Sequence, residues 1–224
     1  MTQPPFIAPI AQHIWETKYR LVTEQGISDG TPGHTWARVA RAAASMEPAD
    51  RRAWEARFGE LMAELRFLPG GRILAGAGSG RRVTLFNCFV MGSLRDEMAA
   101  IFEGLKEGAL TMQEGGGVGY DFSPLRPRGS TAGATANIAS GPVSFMQVWD
   151  AMCATICSTG SRRGAMMATL RCDHPDIEDF IAAKSDRRAL SHFNCSVQVT
   201  DALMAAVAAD QPWALRFDGK VTRT

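Results

Sequence analysis

Three things are scarce in this sequence, and each scarcity excludes a class of protein. There is no surplus of charge, with 24 Lys and Arg against 23 Asp and Glu. Bulk electrostatics therefore points to no nucleic-acid partner and no membrane surface, and an anionic ligand has to be met by local groups. The cysteines Cys88, Cys153, Cys157, Cys172 and Cys195 are odd in number and contain no CxxC pair, which argues against a disulfide scaffold and a zinc knuckle. A thiol that matters here matters through its reactivity. Finally, no apolar run approaches the length of a bilayer span, and the opening MTQPPFIAPIAQHIWETKYR has no basic segment followed by a long apolar core; the expectation is a cytoplasmic chain. Internal repeats and low-complexity tracts are missing as well.

What is present is enough for one substantial domain and a smaller satellite, since 224 residues carry 46% hydrophobic side chains. Residues 7–66 read as helical, with apolar positions at Ile10, Ile14 and Leu21, then Trp36, Val39 and Ala43, then Trp54, Phe58, Leu61 and Leu65. Pro48 is expected just inside the last of these helices. Glycines and Pro69 in FLPGGRILAGAGSGRR break the pattern, which gives a helical region over 1–75 and an α/β region over 76–224. In the second region VTLFNCFVM reads as a strand and LRDEMAAIFEGLKEGALTMQ as a helix with Met98, Ile101, Leu105 and Leu110 on its apolar face. A helix opened by Ser140 as its cap and Pro142 in its first turn follows. AMMATLRC, PDIEDFIAAK, FNCSVQVT and DALMAAVAAD continue the strand and helix alternation, and PWALRFDGKVTR reads as a hairpin on an Asp-Gly turn. Strands separated by helices predict a largely parallel α/β sheet or barrel. The sequence stops on the outgoing arm of that hairpin, and the expectation is a chain cut short.

Two segments combine backbone freedom with fixed positive charge. In QEGGGVGYDFSPLRPRG, Gly115, Gly116, Gly117 and Gly119 leave the main chain bare, so that a ligand could take hydrogen bonds from its N–H groups. The segment is neither the dinucleotide fingerprint, because Tyr120 stands at the third position, nor a Walker loop; a tight strand entry accounts for it equally well. In CSTGSRRGAMMATL, Arg162 and Arg163 lie beside Gly160 and Gly164, where guanidinium groups could clamp a phosphate or simply face solvent. Two such segments in one α/β unit favour a phosphorylated ligand. Cys88 sits mid-strand among apolar residues, where a free cysteine is commonly a buried small hydrophobe. Cys153 and Cys157 share a helix face, but His174 and His192 belong to other elements, so no metal site is expected and core packing is the reading for these cysteines, as for Cys172 and Cys195.

The order FLPGGRILAGAG, LFNCFVMG, GGGVGYDFSPLRPRG, SGPVSFMQVWDAMC, GSRRGAMMATLRCDHPDIEDFI and FNCSVQVTDALM resembles the N-terminal part of the large catalytic subunit of ribonucleotide reductase, and within that family the adenosylcobalamin-dependent class II branch. The resemblance implies a ten-stranded α/β barrel of two parallel halves, of which this chain supplies the helical region and the first half. It implies an enzyme that reduces ribonucleotides to 2′-deoxyribonucleotides by thiyl-radical chemistry, with Cys88 as one thiol of a redox pair. It places Asn87, Gly116, Gly117 and Arg163 at the ribonucleotide substrate, and Asp96, Arg126 and Thr159 at an allosteric deoxynucleotide effector, with 159–163 as a loop linking the two. Adenosylcobalamin, an external thiol reductant such as thioredoxin, the other barrel half and a homodimer are the implied cofactor and partners. The cobalamin-binding residues, the radical cysteine and the second redox cysteine would lie in the other half, so this chain by itself is expected to be inactive. On this reading the thiol and the two basic segments gather around one nucleotide. Gly70 stands where some relatives have a hydroxyl residue, and Cys195 where an aliphatic one is usual; neither is given a site role. A non-catalytic nucleotide-binding or dimerisation module, and a class I subunit served by a separate radical generator, are the alternatives.

Overall fold

The computed structural model describes residues 8–131, 138–157, 165–186 and 188–223. The chain divides into two compact units, Met1–Asn87 and Cys88–Thr224.

The first unit is mainly helical. Helix α1 (Pro9–Ile14) runs into a π-helical turn, Trp15–Tyr19, and a two-stranded antiparallel ribbon of β1 (Val22–Thr23) and β2 (Gly26–Ile27) follows. Helix α2 (Pro32–Ala44) starts on a proline, which has no N–H to leave unpaired at that end. It packs against α3 (Arg51–Ala63), and α4 (Gly71–Gly76) closes the unit. Val39, Ala40, Met62 and Ala77 form the core, with Trp36, Phe58, Ile73 and Leu74 packed around them. The periodicity found part of the face of α2, where Val39 is buried and Trp36 half-buried but Ala43 exposed, and missed that of α1, whose Ile10 and Ile14 are exposed. Pro48 lies outside α3 rather than just inside it: the helix begins at Arg51, after Asp50 in the left-handed conformation at φ 53°.

The second unit is an α/β layer structure. Strand β3 (Cys88–Val90) leads to helix α5 (Met98–Gln113), β4 (Gly117–Asp121), α6 (Pro142–Cys157), β5 (Met166–Arg171), α7 (Ile177–Ala182), β6 (Phe193–Gln198) and α8 (Asp201–Ala208). All neighbouring pairs in the sheet β3-β4-β5-β6 are parallel. The expected strand over 83–91 contracts to three residues, because only Cys88–Val90 pair with β4 and this edge strand has no second partner within the sheet. Helix α6 opens on Pro142, so the residue immediately before it is Gly141 and not Ser140. The hairpin is present as β7 (Leu215–Phe217) and β8 (Lys220–Arg223) around Asp218–Gly219.

Alternation along the strands sends one set of side chains to the helices. Val118, Tyr120, Met166, Ala168, Leu170 and Phe193 meet Ile101 and Met112 of α5, Met146, Trp149 and Cys153 of α6, and Ile177 and Phe180 of α7. Of the apolar face expected for α5, Ile101 is buried and Leu105 half-buried, whereas Met98 and Leu110 are exposed. No helix among the described residues is long and apolar enough to cross a membrane.

Candidate functional site

The other set of side chains lies on the face of the sheet opposite that core. Cys88 and Val90 are exposed there, while Phe89 between them turns to the helix side, where its ring meets Gly116. Cys88 is in register with Gly117, and Val90 with Gly119, whose neighbour on β5 is Met167. Two positions without side chains therefore separate the thiol strand from β5, and the floor beside Cys88 is bare main chain. Among the described residues no other thiol shares this face. Cys153 and Cys172 are buried, and Cys195 packs with the helix-side core, where burial pushes its thiol up from the ordinary value despite Lys184 nearby. Further along the open face a polar row crosses three strands: Gln198 Nε2 donates to Thr169 Oγ1 (2.8 Å), which donates to Asp121 Oδ1 (3.2 Å).

Gly116 is buried for a reason that concerns packing. A Cβ there would stand 2.7 Å from the Phe89 ring and 2.8 Å from Thr111 Cγ2; contacts that short are not tolerated, so the bare backbone lets β3, α5 and the strand entry close together. Asn87 is exposed and directly precedes Cys88. Arg163 and Thr159, with Arg162 and the rest of 158–164, lie outside the described residues.

Asp96 and Arg126 come together. Arg126 Nε donates to Asp96 Oδ2 at 2.5 Å and its Nη2 to the Asp96 carbonyl at 3.1 Å, with both side chains about 30% exposed. Nη1 is left uncommitted among the described residues. The two loops that carry them follow β3 and β4, at the carboxyl ends of parallel strands, the end at which open α/β sheets usually bind ligands. Cys88, Gly116 and Gly117 stand at the amino ends of the same strands. The expected gathering of thiol, glycines and Arg126 around one nucleotide is corrected accordingly. Strand β4 stands between Gly116 and Arg126, and five residues at about 3.3 Å each put the two ends roughly 16 Å apart. The glycine and arginine segment is thus two half-loops with a strand between them.

One constellation went unread in the sequence. His174 is 2% exposed and spans two backbone groups: its Nε2 is 2.9 Å from the Leu125 carbonyl, and its Nδ1 accepts from the Asp176 N–H at 3.0 Å. Asp176 Oδ2 in turn accepts from the Arg128 N–H at 2.9 Å. The signal available was DHPD ahead of a helix, a polar run that reads as a turn; nothing local connects it to a loop 48 residues earlier. Among the described residues, no group of three His, Cys, Asp or Glu side chains is arranged to hold a metal ion.

Comparison with known proteins accounts for both units. Residues 86–223 match the family model described as ribonucleotide reductase, barrel domain, and residues 6–82 match ribonucleotide reductase, all-alpha domain. Among curated relatives, the chain is 41% identical over 195 residues to a vitamin B12-dependent ribonucleoside-diphosphate reductase of Mycobacterium tuberculosis (strain CDC 1551 / Oshkosh), covering 85% of this chain and 28% of that protein. It is 46% identical over 146 residues to a protein of the same name from Thermoplasma acidophilum, covering 65% of this chain and 19% of the relative. It is 30% identical over 165 residues to a ribonucleoside-diphosphate reductase subunit alpha of Helicobacter pylori (strain J99), covering 72% and 21% respectively. The chain spans less than a third of the length of these relatives. With both family models matched in order, and an α/β unit carrying an exposed thiol on its first strand, the chain belongs to the ribonucleotide reductase family.

Proposed function

We propose that this chain is the amino-terminal part of the catalytic subunit of an adenosylcobalamin-dependent ribonucleotide reductase, contributing the all-helical region and the first half of a ten-stranded barrel. The observation that carries the reading is Cys88, exposed on the first strand of a parallel sheet beside a side-chain-free Gly117. Replacing a ribose 2′-hydroxyl by hydrogen breaks the C2′–O bond, releases the oxygen as water, forms a C2′–H bond and needs two electrons. Two thiols supply them: Cys88 and a second cysteine give up their hydrogens and end as a disulfide, which an external dithiol of the thioredoxin kind reduces again. By the resemblance to the family, the partner cysteine and the radical cysteine belong to the other barrel half, and the chain alone turns nothing over. Adenosylcobalamin would supply the initiating radical. No residue of this chain is assigned to hold it.

Within this reading Asn87, Gly116, Gly117 and Arg163 serve the ribonucleoside di- or triphosphate substrate. Asp96, Arg126 and Thr159 serve a deoxynucleotide effector, with Arg126 on its phosphates, and the whole protein works as a homodimer in the cytoplasm. The second reading, a non-catalytic nucleotide module, is favoured by the completeness of the Asp96 and Arg126 pair within this chain.

A chimera separates the two. The chain replaces the matching segment of the Mycobacterium tuberculosis relative, and ribonucleoside diphosphate reduction is followed with adenosylcobalamin and a dithiol. Activity that falls about a hundredfold or more in Cys88→Ser supports the catalytic reading. A chimera that binds deoxynucleotides through Arg126 yet is indifferent to Cys88→Ser supports the module, as would product formed by the 224-residue chain without any second half count against both.

A further inference from the structure

We propose that His174 is the positioning residue for Arg126: through its bond to the Leu125 carbonyl it fixes the backbone immediately before the arginine, while the Asp176 carboxylate holds the far side, and so it sets where the guanidinium stands. The inference rests on the reading of Arg126 as a phosphate contact only for its functional consequence; the positioning itself is a statement about this chain.

The geometry is specific. The segment after β4 is seated in the core by Phe122 and Leu125; its own bonds are local, the Leu125 N–H reaching the Phe122 carbonyl and Ser123 bonding back to Asp121 through both its N–H (3.0 Å) and its hydroxyl (2.6 Å). Two further bonds come from the turn after β5, and they bracket Arg126. His174 holds the carbonyl of residue 125, and Asp176 holds the N–H of residue 128. The turn is itself well anchored. The His174 N–H donates to the Arg171 carbonyl and the Ile177 N–H to the His174 carbonyl, both at 3.0 Å, while the Arg171 N–H donates to Ser123 Oγ at 2.8 Å. Phe217 of the hairpin closes the remaining side, its ring edge-on to the imidazole at 5.6 Å.

The tautomer follows from these partners. An N–H of Asp176 points at Nδ1, so Nδ1 is bare, the proton sits on Nε2, and Nε2 donates to the Leu125 carbonyl. A second ring proton would set donor against donor. Burial holds the imidazole below its ordinary value, opposed by its bond to Leu125 and by Asp176 and Asp173, and assisted by Arg171. A neutral histidine donates to residue 125 from one ring nitrogen and accepts from residue 176 on the other.

Glutamine and asparagine divide that double role. In His174→Gln the longer amide can still donate to the Leu125 carbonyl but leaves the Asp176 N–H without an acceptor. In His174→Asn the amide oxygen can accept from Asp176 but does not reach Leu125. Two readouts are taken on the full chain: the Arg126 Nε–H resonance in ¹⁵N spectra, which reports its bond to Asp96, and the affinity for inorganic tripolyphosphate and the four deoxynucleoside triphosphates. The expected result is that His174→Asn shifts or broadens the Arg126 resonance and weakens nucleotide binding by up to about tenfold, the worth of one hydrogen bond. His174→Gln keeps the resonance in place, and neither variant changes the residual affinity of Arg126→Ala. Equal loss of thermal stability in both variants with the Arg126 resonance unmoved in both would leave His174 a buried strut and overturn the proposal. So would loss of the resonance in a folded His174→Gln chain, which decides the matter even where His174→Asn does not fold. If Arg126→Ala leaves nucleotide affinity untouched while His174→Asn still moves the arginine, the phosphate reading fails and the positioning stands.

Discussion

The two units bury polar groups in opposite ways. In the helical unit the buried polar centre is ionic: Asp29, 2% exposed, faces Arg38, whose side chain is 9% exposed, at 2.8 Å. Both partners make further bonds. Asp29 also accepts from Thr35 Oγ1 (2.8 Å) and the Leu21 N–H (3.2 Å), and Arg38 donates to the Ala77 (2.5 Å) and Leu74 (3.0 Å) carbonyls. Trp15 Nε1 completes the cluster by donating to Thr35. In the α/β unit His174, Asp176 and Tyr120 bond to backbone instead: His174 between two backbone groups, Asp176 to the Arg128 N–H, and Tyr120 through its hydroxyl, which donates to the Gly104 carbonyl at 2.6 Å and whose pKa burial pushes up to about 12. The difference follows from what each fold can offer. A unit of short helices with a small apolar core leaves carbonyls at helix ends that a guanidinium fork can collect. In the α/β unit the backbone groups left over lie in the loops after the parallel strands, and single buried side chains take them up one or two at a time.

The contrast can be broken most forcefully at Arg38. Arg38→Met removes one ion and leaves Asp29 buried and uncompensated, for which the expected loss is about 3–5 kcal/mol; chemical denaturation with amide exchange should place the loss in the helical unit. A smaller effect is expected at Gly108, where a Cβ would lie 2.5 Å from Tyr120 Oη. Gly108→Ala should displace the ring and cost about 1–3 kcal/mol through overpacking and the lost bond to Gly104, felt in the α/β unit and visible in its aromatic circular dichroism.

The third expectation sharpens the contrast through pH and is the smallest. His174 has a depressed folded pKa, so its contribution is fully present above the ordinary value of 6.5 and is lost as pH falls from there through the folded value. For Asp29, burial alone would raise the carboxyl, but the bonds from Arg38 and Thr35 and the charge of Arg38 outweigh it and hold the pKa below 3.8. Its contribution is present above 3.8 and is lost only as pH falls through the lower folded value. On acidification, amide protection around Leu125 and Asp176 should therefore weaken before protection around Leu21 and Asp29 does. His174→Gln should remove the earlier step alone, and the opposite order of loss would refute the contrast between an ion-paired centre in one unit and a backbone-bonded one in the other.

Much of this arrangement was legible beforehand. Apolar spacing along α2, the proline at its start, and the Asp-Gly turn of the hairpin are local signals, and each appeared where local chemistry required it. Alternating strands and helices gave the parallel sheet. The faces of α1 and α5 were misread because a run of apolar residues says that a helix has a dry side, while the neighbours present decide which residues occupy it. Strand β3 shrank because pairing length depends on a partner strand that the sequence of β3 does not contain.

The sequence by itself determined the order of elements and the family, since these rest on residue types and spacings along the chain. Only the tertiary structure decided that the glycines and Arg126 stand at opposite ends of one strand, that Asp96 meets Arg126, and that His174 grips the loop between them. Parallel pairing fixes which loops share an end of the sheet, and hydrogen bonds between residues 48 or 49 positions apart leave no mark on local periodicity.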